Sequence, residues 1–192
     1  LNYSHKNKIL WFTPIRTASR ACVPIMEYFN FDSTKYHDEN FPKDSDDYVL
    51  ITNVHNPYKR LVSIFKMFEE QKNLSNVSFH DWIHTNLKNL NKHNQNPHQL
   101  WISKFILSFK KKPDYIVRVE NIEEDLLKIK FIQENMSKEL KKIFSENIKT
   151  NQYREDNFDY WKKEYDESLS NYIFDNFRND FELFGYDKNS WK

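Results

Sequence analysis

The sequence predicts an α/β fold, a single domain in which a central parallel β-sheet is flanked by helices. Two observations lead there. Three apolar segments, 8–13, 48–54 and 115–119, run continuously instead of alternating with polar residues, as strands buried on both faces do. Each is followed by a stretch with helical spacing, which gives the β-then-α order of an α/β protein. The 192 residues contain no internal repeat and no Gly/Ser-rich or Pro-rich linker, so one domain over 1–192 is expected.

The elements are justified in order. Lys8-Ile9-Leu10-Trp11-Phe12-Thr13 is a strand that stops at Pro14. The helix after it is expected to start late or to kink, because Pro24 has no amide to donate. The second strand, 48–54, is nearly all apolar and β-branched. Asn56 can then cap a helix with Pro57 at its first position. Leu61, Ile64, Phe65 and Phe68 recur along it at helical spacing. Segments 78–91 and 97–109 read as further helices. The third strand leads into a helix over 120–131 and a short amphipathic piece over 137–144. A last helix spans 165–181 and closes near Gly185.

Composition removes several function classes. At 39% hydrophobic and 17% aromatic residues the chain can bury a sizeable core, so it is not a disordered segment despite a mean hydropathy of −0.88. Lys+Arg 29 against Asp+Glu 28 leaves a net charge of +1. That balance argues against nucleic acid as a partner, although a local basic cleft is compatible with it. The single cysteine, Cys22, excludes an intramolecular disulfide and a Cys-rich zinc site; it fits a reducing, cytoplasmic setting, with a disulfide-free secreted protein as the alternative. No apolar run approaches membrane-spanning length. The one glycine, Gly185, rules out both a G-x-G-x-x-G fingerprint and a Walker A loop, and with them a kinase built on such a loop. A phosphate site here must be glycine-free.

Two strand-to-helix junctions could hold phosphate. In Thr13-Pro14-Ile15-Arg16-Thr17-Ala18-Ser19-Arg20-Ala21, a helix start offers backbone amides, and Thr17, Ser19 and Arg20 add hydroxyl and guanidinium donors. Small polar residues at a helix start are also ordinary caps. In Val54-His55-Asn56-Pro57-Tyr58-Lys59-Arg60-Leu61-Val62-Ser63, His55 falls at the carboxyl edge of the sheet, where open α/β sheets bind ligands. Ser63 lies two helical turns further on, with Arg60 within a turn of it. A surface helix with solvated charges would look the same.

Taken together, these segments resemble a known family. "TPIRTASRA" after a strand resembles the 5′-phosphosulfate loop of sulfotransferases, and "VHNPYKRLVS" resembles their 3′-phosphate motif. "DYIVRVENIEEDL" (114–126) and "YDESLSNYIFDNFRNDFELFGYD" (165–187) are similar to segments of the carbohydrate sulfotransferase branch. The four matches occur in family order and span about residues 8–187.

The resemblance implies a P-loop-NTPase-like sulfotransferase fold and metal-free, in-line transfer of a sulfuryl group. The donor would be 3′-phosphoadenosine 5′-phosphosulfate (PAPS), leaving PAP, and the acceptor a hydroxyl, by branch a glycan's. It places Arg16 where the family has lysine at the leaving phosphate, with Thr17, Ala18, Ser19, Arg20 and Ala21 around the 5′-phosphate. His55 stands where the family has arginine at the 3′-phosphate, Ser63 matches the serine that shares it, and Arg60 is the nearest substitute for the missing arginine. His37 holds the place of a general base, with His98 its competitor, and Glu120 matches a family position. Lys149 and Arg154 are basic candidates in a late loop over 147–154. The two departures, His55 and Arg16, keep open a second reading: a non-catalytic nucleotide- or carbohydrate-binding protein that retains the fold.

Overall fold

A computed structural model describes residues 1–32, 42–72, 77–89, 101–108, 111–153 and 160–192. Its elements, in chain order, are β1 (Asn2–Ser4), β2 (Ile9–Phe12), α1 (Ser19–Tyr28), β3 (Val49–Val54), α2 (Pro57–Lys72), α3 (Phe79–Asn89), α4 (Ile102–Ser108), β4 (Tyr115–Arg118), α5 (Ile122–Leu127), α6 (Lys130–Glu134), α7 (Lys138–Tyr153) and α8 (Glu167–Phe184). The architecture is α/β, a four-stranded, mostly parallel sheet with flanking helices.

The sheet order is β1-β2-β3-β4. β2 and β3 run parallel with Trp11 opposite Ile51, and β3 and β4 run parallel with Val54 opposite Arg118. The three strands read from the apolar runs, β2, β3 and β4, are parallel as expected, and a further edge strand, β1, pairs antiparallel with β2. Three residues followed by a tight return carry no continuous apolar run, so nothing in the sequence marks β1 as a strand.

The described chain gathers into two compact units, Leu1–His55 with Ile106–Asn157, and Asn56–Phe105 with Phe158–Lys192. The first holds the whole sheet. On one sheet face Ile9, Trp11, Ile51 and Val117 pack with Ile25 and Met26 of α1 and with Leu140 and Phe144 of α7. Leu10, Leu50 and Val54, on the opposite face, are equally buried. Strands buried on both sides explain why their apolar runs are continuous.

Helix α1 starts at Ser19, not late, and runs through Pro24. The carbonyl that loses its partner belongs to Arg20, on an exposed residue where water can replace the bond. The helix expected over 120–131 is broken into a 3-10 turn at Val119–Asn121, then α5 and α6. Helix α7 extends well past residue 144. Leu140, Phe144 and Ile148 recur at intervals of four and are all buried, so the apolar stripe continues through the polar stretch behind it.

In the second unit Asn56 caps α2 as expected, its Oδ1 accepting from the amide of Tyr58 at 3.0 Å. The buried Tyr58 ring meets Tyr165 and Phe181 edge-on at 5.0 and 4.9 Å. Its hydroxyl donates to the carbonyl of Lys188 at 2.8 Å. Helix α8 is capped by Asp166 and closed by Gly185, whose φ of 71° is the left-handed value that glycine adopts without cost. Among the described residues no helix is long and apolar enough to cross a membrane.

Candidate functional site

The turn between β2 and α1 sits at the carboxyl edge of the parallel strands, in the same unit as the ends of β3 and β4. Its backbone is unusual for a chain without glycine there: Arg16 and Ala18 both lie in the left-handed region, at φ 61° and 59°. Ala18 is the N-cap of α1 and supplies no side-chain cap. The first-turn amides of a helix have no intrahelical acceptor, so Ala18, Ser19 and Arg20 present N–H groups at the positive end of the helix dipole. The amide of Ala21 is already used, donating to the carbonyl of Ala18 at 3.0 Å.

The side chains of the turn divide into two groups. Arg16 and Arg20 are exposed and Ser19 is half-buried. Thr17 is fully buried, and its hydroxyl donates to the carbonyl of Pro14 at 2.6 Å, as does its amide at 3.3 Å. Thr17 therefore closes the turn with the donors that could otherwise face outward.

The end of β3 braces this turn. Asn53, fully buried, donates from Nδ2 to the carbonyl of Thr17 at 2.8 Å and to the sulfur of Cys22 at 3.1 Å. Its Oδ1 accepts from the indole of Trp11 at 2.8 Å. Nδ1 of His55 lies 3.0 Å from the carbonyl oxygen of Arg16, and its Nε2 stands 3.8 Å from Glu120 Oε1. Glu120 belongs to the 3-10 turn that follows β4. The chain thus brings together Arg16, Thr17, Ala18, Ser19, Arg20, His55 and Glu120. Asn53 was not a sequence candidate; an amide inside an otherwise apolar buried strand was the available signal, since such a group needs buried partners.

Arg60 and Ser63 lie on α2 in the second unit. Ser63 is half-buried. Arg60 is 2% exposed; burial lowers its guanidinium pKa to about 10, and the Asp180 carboxylate opposes that shift. His37, His98 and Arg154 fall outside the described residues, as does the side chain of Lys149. The backbone of Lys149 is helical, within α7, where a loop was expected. The continued apolar stripe of α7 is the reason. Among the described residues no group of three or more His, Cys, Asp or Glu could hold a metal ion.

No curated protein and no solved structure gives a significant match to the chain. The family model of the sulfotransferase family matches residues 15–187, which begins inside the braced turn and ends just past α8. With the match covering nearly all of the sequence, the chain belongs to the sulfotransferase family.

Proposed function

We propose that the protein transfers a sulfuryl group from PAPS to a hydroxyl of a glycan. The observation that carries this reading is the glycine-free turn at the uncapped start of α1, with Arg16 and Arg20 exposed beside it, in a chain of the sulfotransferase family. Amides at a helix start and guanidinium forks are the donors that suit a phosphate dianion. The amides of Ala18, Ser19 and Arg20, the Ser19 hydroxyl and the two guanidinium groups would hold the 5′-phosphate. Thr17 and Ala21 would shape the turn.

In-line transfer breaks the S–O bond to the 5′-phosphate as the S–O bond to the acceptor forms. Charge grows on the departing phosphate, and Arg16 is the cation assigned to it; an arginine stabilises that charge without giving up a proton. The acceptor's proton goes to a base, for which we propose His37, with His98 as the residue to test against it. Arg60 and Ser63, with Lys149 and Arg154, are the proposed set for the 3′-phosphate; His55 holds the family's position for that phosphate, but its ring meets the carbonyl of Arg16. Glycan specificity rests on the similarity of 114–126 and 165–187 to the carbohydrate branch.

The test is transfer of labelled sulfate from PAPS to a panel of glycans, alongside calorimetric titration with PAP. PAP binding with transfer to a glycan is the expected result. PAP binding without transfer to any acceptor would favour the non-catalytic reading, and absence of PAP binding would overturn the nucleotide assignment. Transfer abolished in His37→Ala but retained in His98→Ala places the base; the reverse result moves it to His98.

A further inference from the structure

Residues 51, 53 and 55 alternate along β3 and just beyond it, so their side chains leave on one side. Ile51 joins the apolar cluster under α1, while Asn53 and His55 reach the carbonyls of two consecutive residues, Thr17 and Arg16. We infer that Asn53 and His55 are positioning residues that fix the 5′-phosphate turn by holding those two carbonyls toward β3; this rests on the reading of that turn as the nucleotide's 5′ end.

A carbonyl oxygen can only accept, so the His55 contact requires a proton on Nδ1. In the neutral ring that leaves Nε2 as the acceptor, and in the cationic ring Nε2–H faces Glu120. The consequence for the turn follows from peptide geometry. In a trans peptide the N–H points opposite the C=O, so drawing the Thr17 carbonyl onto Asn53 turns the Ala18 amide outward, beside those of Ser19 and Arg20. Loops of this kind generally depend on glycine to take left-handed values, and here Arg16 and Ala18 take them without it. The two side-chain hydrogen bonds supply the compensation that such a backbone needs. His55 then acts on the 5′ end of the nucleotide through Arg16, whereas the family motif assigns its position to the 3′ end.

The experiment compares wild type with His55→Asn, His55→Gln and Asn53→Asp in calorimetric titrations with adenosine 5′-monophosphate, adenosine 3′-monophosphate and PAP. Asparagine can place a donor near the Nδ1 position, whereas glutamine moves it toward Nε2. Asn53→Asp keeps the shape and the bond from Trp11 but removes the donor to Thr17. His55→Gln and Asn53→Asp should weaken the 5′-monophosphate about tenfold, the factor given by one hydrogen bond of ordinary strength. Binding of the 3′-monophosphate should not change, and His55→Asn should recover to within about threefold of wild type. Proton–nitrogen correlation of the His55 ring should show Nδ1 protonated. Loss of 3′-monophosphate binding on mutation, or a neutral ring protonated at Nε2, would overturn the role of His55. Wild type that binds while every variant binds equally overturns the positioning role alone. Wild type that binds none of the three nucleotides overturns the reading of the turn, and this role with it.

Discussion

The backbone amide of Ser103 donates to Oδ1 of Asp180 across 2.9 Å, although the two residues are 77 positions apart. The amide of Ile102 donates to Oδ2 at 3.1 Å, and the Ser103 hydroxyl also donates to Oδ1. A carboxylate of α8 thus satisfies the first amides of α4, the task an N-cap side chain usually performs from the adjacent position. Burial pushes the Asp180 pKa up, while its bonds from Ser103 and the charge of Arg60 pull it back. Removing the carboxylate in Asp180→Ala leaves those buried donors of α4 without the acceptor they use. Urea unfolding at pH 7 should show a loss of about 1–3 kcal/mol, the cost of leaving buried donors without an acceptor. A loss below about 1 kcal/mol would place Asp180 outside the stabilising core.

The same residue fixes a pH dependence. Its folded pKa lies above the ordinary 3.8, so its contribution to stability is fully present below that value and is lost as pH rises through the folded pKa. Asp180→Asn cannot titrate. Measured from pH 3 upward, the wild type should therefore lose stability relative to Asp180→Asn as it passes through that window. A wild type that gains on the variant there would reverse the assigned shift.

For Arg16 the expectation concerns turnover. A cation that meets charge developing on the leaving phosphate acts mainly in the transition state, so Arg16→Ala should lower kcat on the order of 10²-fold and change PAP affinity far less. Arg16→Lys should retain substantial activity, because a point charge remains. Near-normal kcat in Arg16→Ala would remove Arg16 from the chemistry.

Cys22 should be inert in the folded protein. Burial raises its thiol pKa from 9.0 to about 12, against the lowering effect of the Asn53 hydrogen bond. The thiolate fraction is then roughly a thousandfold lower than for a free thiol, before access is considered. Alkylation by iodoacetamide at pH 8 should be very slow in buffer and fast in urea. Rapid labelling without denaturant would mean that α1 opens readily.

Local signals made much of this fold legible. The three long strands showed in their apolar runs, α2 in Asn56-Pro57 and the close of α8 in Gly185. What the sequence hid depends on partners far along the chain. β1 is a strand only because β2 pairs with it, and Asp180 caps a helix that begins 78 residues earlier. In the turn, the residues Arg16 to Ala21 could be singled out by type, but the left-handed values of Arg16 and Ala18 carry no glycine to announce them. The direction of His55 was hidden for a related reason: a motif position fixes where the backbone passes, and the acceptor that orients the ring is supplied by another loop.

The left-handed Ala18 has a calorimetric consequence. An alanine there strains the folded chain by about 1–2 kcal/mol, whereas glycine would relieve the strain but enlarge the freedom of the unfolded chain by about 0.4–1 kcal/mol. The relief is the larger effect, so Ala18→Gly should leave the melting temperature unchanged or raise it by a few degrees. A further effect should appear in the entropy of binding. Glycine gives the turn alternative shapes that an arriving anion must freeze out, so association with Ala18→Gly should carry a larger entropy loss than association with the wild type.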